Sequence, residues 1–93
     1  MRIVKQEAAF KKDLKREMSG RYRSVIEEEL PEIVEKLAND ITLPSKYKDH
    51  ALSGKWINHR DCHLRPDFVL IYLKTDDNKL YLVRLGNHSA VFG

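Results

Sequence analysis

Cysteine is almost missing from this chain: among its 93 residues there is one, Cys62. A lone cysteine excludes an intramolecular disulfide and the paired-cysteine zinc sites, and its free thiol suits a reducing cytoplasm. Long apolar runs are missing too. No stretch of about eighteen apolar residues occurs, so no membrane span is expected. The opening, MRIVKQEAAFKKD, is charged too early to read as a secretory signal. An excess of one charge is modest: 17 Lys and Arg against 14 Asp and Glu give +3. That balance leans toward a polyanionic partner without establishing one. A second core is excluded by length, so residues 1–93 are expected to form a single domain. With 42% hydrophobic and 33% charged residues, global disorder is excluded as well.

What is present is periodic order. Ile3 and Val4 suit a brief first strand. From about Gln6, Ala9, Phe10, Leu14 and Met18 recur at helical steps, while Lys11, Lys12, Lys15 and Arg16 face elsewhere. Ser19-Gly20 should end that helix. Tyr22, Ile26, Leu30, Ile33, Val34 and Leu37 predict a second one, which either begins near Glu28 or bends at Pro31. Asn39-Asp40 should stop it. Gly54–Leu64 reads as a strand with Ile57, His59, Asp61, His63 and Arg65 on one face and Trp56, Asn58, Arg60, Cys62 and Leu64 on the other. Phe68–Leu73 is continuously apolar, the pattern of a strand covered on both sides. A polar turn at Thr75–Asn78 leads to a strand over Lys79–Leu85, and Ala90–Phe92 is an apolar segment expected to pack or pair. Helices followed by strands predict an α+β domain: a small antiparallel sheet with two N-terminal helices on one face and the other face free to bind.

The histidines are spent unevenly. His50, His59 and His63 fall between the helical and strand-like halves, with Asp61 and Asp67 beside them; Arg84, His88 and Phe92 stand near the end. Metal-free RNA cleavage needs a base for the 2′-hydroxyl, an acid for the leaving 5′-oxygen and a cation for the phosphorane. Histidine serves either proton role because its ordinary pKa is near ~6.5. A carboxylate can be the base or can fix a tautomer. Arg84 offers a permanent charge and a fork matched to phosphate. Phe92, Trp56 or Tyr47 can stack a base, and Lys11 and Lys15 on the first helix can grip phosphates. A zinc set from His50, His59, Cys62 and His63 is disfavoured, since Cys62 should point away from the histidines. Cys62 reads instead as a small buried hydrophobe. No DNA-reading motif is present.

The pieces YKDHAL (47–52), GKW (54–56), RDCH (60–63), RPDFVLIY (65–72), RLGNHS (84–89) and VFG (91–93) occur in order over the second half. Together they resemble the YafQ branch of the RelE superfamily of toxin endoribonucleases. The first half contributes only FKKDLKR (10–16). This resemblance implies a bacterial, cytoplasmic mRNA interferase toxin acting on mRNA in the A site of the 70S ribosome. A cognate, DinJ-like antitoxin would neutralise it, and operator DNA would be reached only through that antitoxin. No cofactor, metal or membrane is implied. By motif, His50, His63, Asp67 and His88 take catalytic positions, Arg84 a charge-stabilising one and Phe92 a base-contacting one, with Asp61 supporting His63. The base is then Asp67 or His50, and the acid His63 or His88. A non-catalytic RNA- or ribosome-binding module is the alternative, with the histidines incidental.

Overall fold

The computed structural model describes residues 1–93. Its central strand is β4 (Phe68–Thr75), within a five-stranded sheet of order β1-β5-β4-β3-β2. The strands are β1 (Ile3–Gln6), β2 (His50–Ala51), β3 (Arg60–Arg65), β4 and β5 (Lys79–Gly86). The helices are α1 (Ala8–Glu17), α2 (Arg23–Glu28), α3 (Leu30–Ala38) and α4 (His88–Phe92). The α+β class stands, with refinements.

The sheet is mixed. β2, β3, β4 and β5 pair antiparallel, but β1 runs parallel to β5, with Ile3 opposite Lys79 and Gln6 opposite Leu82. Three helices lie between β1 and the later strands, and a parallel pair requires such a long crossover where a hairpin would force the antiparallel sense. The expected second helix is two helices. Glu29 ends α2 and opens α3, and Pro31 falls in the first turn of α3, where no backbone donor is needed. The expected strand from Gly54 is corrected. Gly54–Trp56 is a turn of 3-10 helix and Asn58 has φ 72°, so extended backbone begins only at Arg60. From there the predicted alternation holds through Leu64, with Asp61 and His63 on one face and Cys62 and Leu64 on the other. A register shift after His63 then sets Arg65 opposite Phe68, where it donates to Glu29 on the helix side and leaves the histidine face it was assigned. His59, outside the strand, leaves the face it was assigned. The terminal apolar segment is helical, with the Asn87 side chain capping α4 by accepting from the Ala90 N–H at 2.8 Å.

The main core lies between α1–α3 and one sheet face. Phe10, Ile33 and Leu37 meet Phe68, Leu70, Tyr72, Leu80 and Leu85, and Cys62 is fully buried among them. Tyr22 stacks on Phe68 at 4.2 Å and 10°. Alternate β4 residues, Val69 and Ile71, are buried on the opposite face beneath Val91 of α4, with Leu52, Trp56 and Phe92 around them. The unbroken apolar run of β4 therefore reflects burial on both sides. This second, smaller core carries the site.

Candidate active site

Cross-strand register assembles the polar side chains. His50 on β2 is opposite Asp61 on β3, Asp61 is opposite Ile71 on β4, and His63 is opposite Val69. Directly opposed residues share a face, so His50, Asp61 and His63 stand on the face where α4 packs. α4 then brings His88 and Phe92. Ring centroids run His50–His63 5.8 Å, His63–His88 5.4 Å, His88–Phe92 5.8 Å, Phe92–Trp56 6.1 Å and Trp56–His59 5.4 Å. Six rings thus form one row along the surface. His59 is not dropped from the region, but it joins through Trp56 at the far end, and its own Nδ1 lies 3.1 Å from the Ile57 carbonyl.

Partners on the ring nitrogens define the proton inventory. His50 Nδ1 lies 2.7 Å from the Lys48 carbonyl and His63 Nδ1 lies 3.3 Å from the Pro66 carbonyl. A carbonyl oxygen can only accept, so both Nδ1 atoms hold a proton and each Nε2 is left to exchange one. At the opposite side of the cluster, Asp67 Oδ1 accepts from the His88 backbone N–H at 3.1 Å and lies 2.9 Å from His88 Nδ1. That pairing holds the Asp67 carboxyl below its usual range through its two hydrogen bonds from His88, so it is an ionised acceptor that keeps the Nδ1 proton in place. His88 Nε2 is likewise the atom left free.

Asp61 lies beneath this row and is 2% exposed. Its Oδ1 is 3.1 Å from His50 Nδ1 and 3.6 Å from His63 Nε2, yet forms no aligned hydrogen bond. Burial raises the Asp61 carboxyl, and the nearby His50, His63 and His88 pull it only partway back. Two acceptors face each other between Asp61 and His63 unless a proton lies between them. A proton on either group resolves the contact.

Arg84 is placed differently from the histidines. A register shift beside Ile71 and Tyr72 puts a bulge in β5, and bulges re-aim side chains. Its Nε donates to Asp13 Oδ2 at 2.7 Å, and Nη2 donates to Asp13 Oδ1 and to the Ala90 carbonyl, each at 3.2 Å. Asp13 is the polar residue that the sequence reading missed. Its only signal is a single acid within the cationic run KKDLKR, three residues after the core Phe10. Lys11 and Lys15 are exposed on α1, and no hydrogen bond or ion pair joins them to the ring row.

His50, Asp61 and His63 offer ligand atoms all within 4.8 Å of one another. Two imidazoles and a carboxylate suit a late first-row transition metal ion. This trio differs from the set weighed on spacing: His59 and Cys62 are absent and Asp61 enters, because the true strand starts at Arg60 and Cys62 faces the main core.

The fold is that of small bacterial toxins. The toxin in the crystal structure of the Escherichia coli DinJ–YafQ complex superposes with a TM-score of 0.84 at 35% identity, over 100% of both chains. A copper-bound mutant toxin from Helicobacter pylori gives 0.85 at 39%, over 99% of this chain and 100% of that one. In sequence, the chain is 49% identical over 55 residues to the mRNA interferase toxin YafQ of Escherichia coli, a stretch making up 59% of each protein. The model of the family described as bacterial toxin of type II toxin-antitoxin system, YafQ, matches residues 2–93. The chain belongs to that YafQ toxin family.

Proposed function

We propose that this protein is an endoribonuclease that cuts mRNA in the ribosomal A site without a metal, arrests translation, and is held inactive by an antitoxin. The observation that carries this reading is the ring row itself. Three histidines, each with Nδ1 engaged by an oxygen, stand beside a half-exposed Phe92, with Nε2 facing Asp61 in His63 and without a protein partner in His50 and His88. Phe92 is the surface for a base, as expected for a single-stranded RNA held by stacking. The 2′-hydroxyl loses its proton to the base and its oxygen attacks phosphorus. The P–O5′ bond then breaks, and the acid protonates the departing 5′-oxygen. The products are a 2′,3′-cyclic phosphate and a 5′-hydroxyl.

His88 suits the acid role best, because the ionised Asp67 beside its Nδ1 stabilises an imidazolium. His50 suits the base, with an exposed side chain and Nδ1 held by the Lys48 carbonyl. His63 with Asp61 supplies a proton store between them. Arg84 is the cation for the phosphorane. A second copy of this chemistry is not needed, nor is a metal: an ion on His50, Asp61 and His63 would occupy atoms the proton transfers use. The partner expected is a DinJ-like antitoxin, as in the Escherichia coli complex, with operator DNA reached through it.

The test is cleavage of a defined mRNA with and without programmed ribosomes, comparing wild type with His88→Ala and His50→Ala. Discrete cuts only with ribosomes, slowed about 100-fold or more in each variant, support the reading. Chelation of the toxin beforehand should change nothing, while added copper should inhibit. Translation arrest with no cut, unaltered by both substitutions, would establish the non-catalytic binding module instead.

A further inference from the structure

We infer that Asp13 is a positioning residue of the active site: it fixes the Arg84 guanidinium and, through Arg84, the helix that carries His88 and Phe92. The inference rests on the nuclease reading above for its catalytic consequence, but its structural part stands alone.

The Asp13 carboxylate is 2% exposed and fully engaged. Oδ2 accepts from Arg84 Nε at 2.7 Å and from the Leu85 backbone N–H at 2.9 Å. Oδ1 accepts from Arg16 Nη1 at 2.9 Å and from Arg84 Nη2 at 3.2 Å. Those four contacts use about all the acceptor capacity a carboxylate has. Burial works against its charge, but the donors from Arg84, Leu85 and Arg16 outweigh burial and keep the carboxyl lowered. Asp13 is therefore a fixed anion between α1 and the end of β5.

Arg84 passes that fixity on. Asp13 takes the Nε–Nη2 edge, and Nη2 also donates to the Ala90 carbonyl in the middle of α4. Nη1 alone has no protein partner, and the side chain is 26% exposed. One edge of the fork is thus held, and the remaining nitrogen is left for a phosphate oxygen. α4 is five residues long, too short to be stable by itself. Beside its Asn87 cap, the Asp67 bonds to His88 at its first residue, and the packing of Val91 and Phe92, this Arg84 bond is the tie that holds the middle of the helix to the body. The helix bears His88 at one end and Phe92 at the other, so its placement sets an acid and a base-stacking ring together.

An ordinary ion pair joining α1 to β5 is the competing account. Apolar residues would join two elements as firmly as a buried pair does, and that account predicts only a loss of stability. The positioning account predicts coupling. Asp13→Asn, Arg84→Ala and the double variant are compared in single-turnover cleavage on programmed ribosomes, at a temperature where all are folded by circular dichroism. Asp13→Asn should slow cleavage about 10- to 100-fold, the cost of a misplaced catalytic group. The double variant should be no worse than Arg84→Ala within about twofold. Amide exchange is measured in parallel on the free toxin: protection at Val91 and Gly93 should fall about 10-fold in Asp13→Asn.

Multiplicative losses in the double variant, normal cleavage by Asp13→Asn, or unchanged protection in α4 would each overturn the inference. If Asp13→Asn does not fold, Arg84→Lys breaks the bidentate pair while keeping the charge, and the same loss of α4 protection decides. If wild type cuts no RNA, the nuclease reading fails, and the exchange arm still judges whether Asp13 holds α4.

Discussion

Asp61→Asn should make the protein more stable and less active. The carboxylate is 2% exposed, and its Oδ1 is buried without an aligned hydrogen bond. An unsatisfied buried acceptor costs about 1–3 kcal/mol, more if charged, and the nearby His50 and His63 offset part of this. Asparagine keeps the shape, cannot ionise, and supplies an N–H that can meet His63 Nε2. A net gain of about 1 kcal/mol is expected, which for a chain of this size raises Tm by roughly 4–8 °C. The sign depends on pH. Because burial raises the Asp61 carboxyl in the folded state, that group favours folding below the ordinary Asp range. The advantage is lost as pH rises from there through the folded value. The advantage of Asn should therefore be full at pH ~8 and vanish only near pH ~2, well below the ordinary Asp value, where Asp is protonated in both states. Thermal melts by circular dichroism at those two pH values measure this, with cleavage assays on the same samples. Cleavage should fall about 10-fold or more, since His63 loses its proton-sharing partner. A variant less stable than wild type at pH ~8, or a gain that grows on acidification, would refute the reasoning.

Phe68→Ala removes a ring that is 0% exposed and stacked on Tyr22 at 4.2 Å. A loss of about 3–5 kcal/mol is expected, a large share of the about 5–15 kcal/mol that holds a small domain folded, and a urea midpoint near wild type would contradict it. Asp67→Asn, at an exposed site, should leave Tm nearly unchanged but slow cleavage about 10-fold or more by releasing His88 Nδ1. The same carboxyl is lowered in the folded state, so whatever stability the pair contributes is present above the ordinary Asp range and lost as pH falls through the folded value. NMR titration of the His88 ring in wild type and variant checks the pairing.

Much of the architecture was legible because it follows from local rules. The apolar spacing in Phe10, Leu14 and Met18 marks α1, and the unbroken Phe68–Leu73 run marks a strand buried on both faces. The places where reading failed have physical causes. Gly54 and Asn58 adopt positive φ, which ends extended backbone regardless of the alternation through Trp56 and His59. Ala90–Phe92 is too short for periodicity to separate helix from strand, and the Asn87 cap decides it. Parallel pairing of β1 with β5 involves residues 76 apart, as in Ile3 and Lys79, and no local pattern encodes that.

Residue chemistry picked out His50, Asp61, His63, Asp67, Arg84, His88 and Phe92 along with His59, Trp56 and Tyr47, since titratable, cationic and aromatic groups are visible as letters, and the family resemblance narrowed the set. Only the folded chain decided what they do to one another. Strand register places His50 over Asp61, α4 brings His88 to Asp67, and the β5 bulge turns Arg84 onto Asp13. The physical reason is that a side chain's type is local, whereas its proton inventory, burial and charge partners come from segments distant in sequence. Asp61 shows this most clearly: an ordinary carboxylate by letter, it is raised by burial and shared among histidines only because three strands and a short helix meet above it.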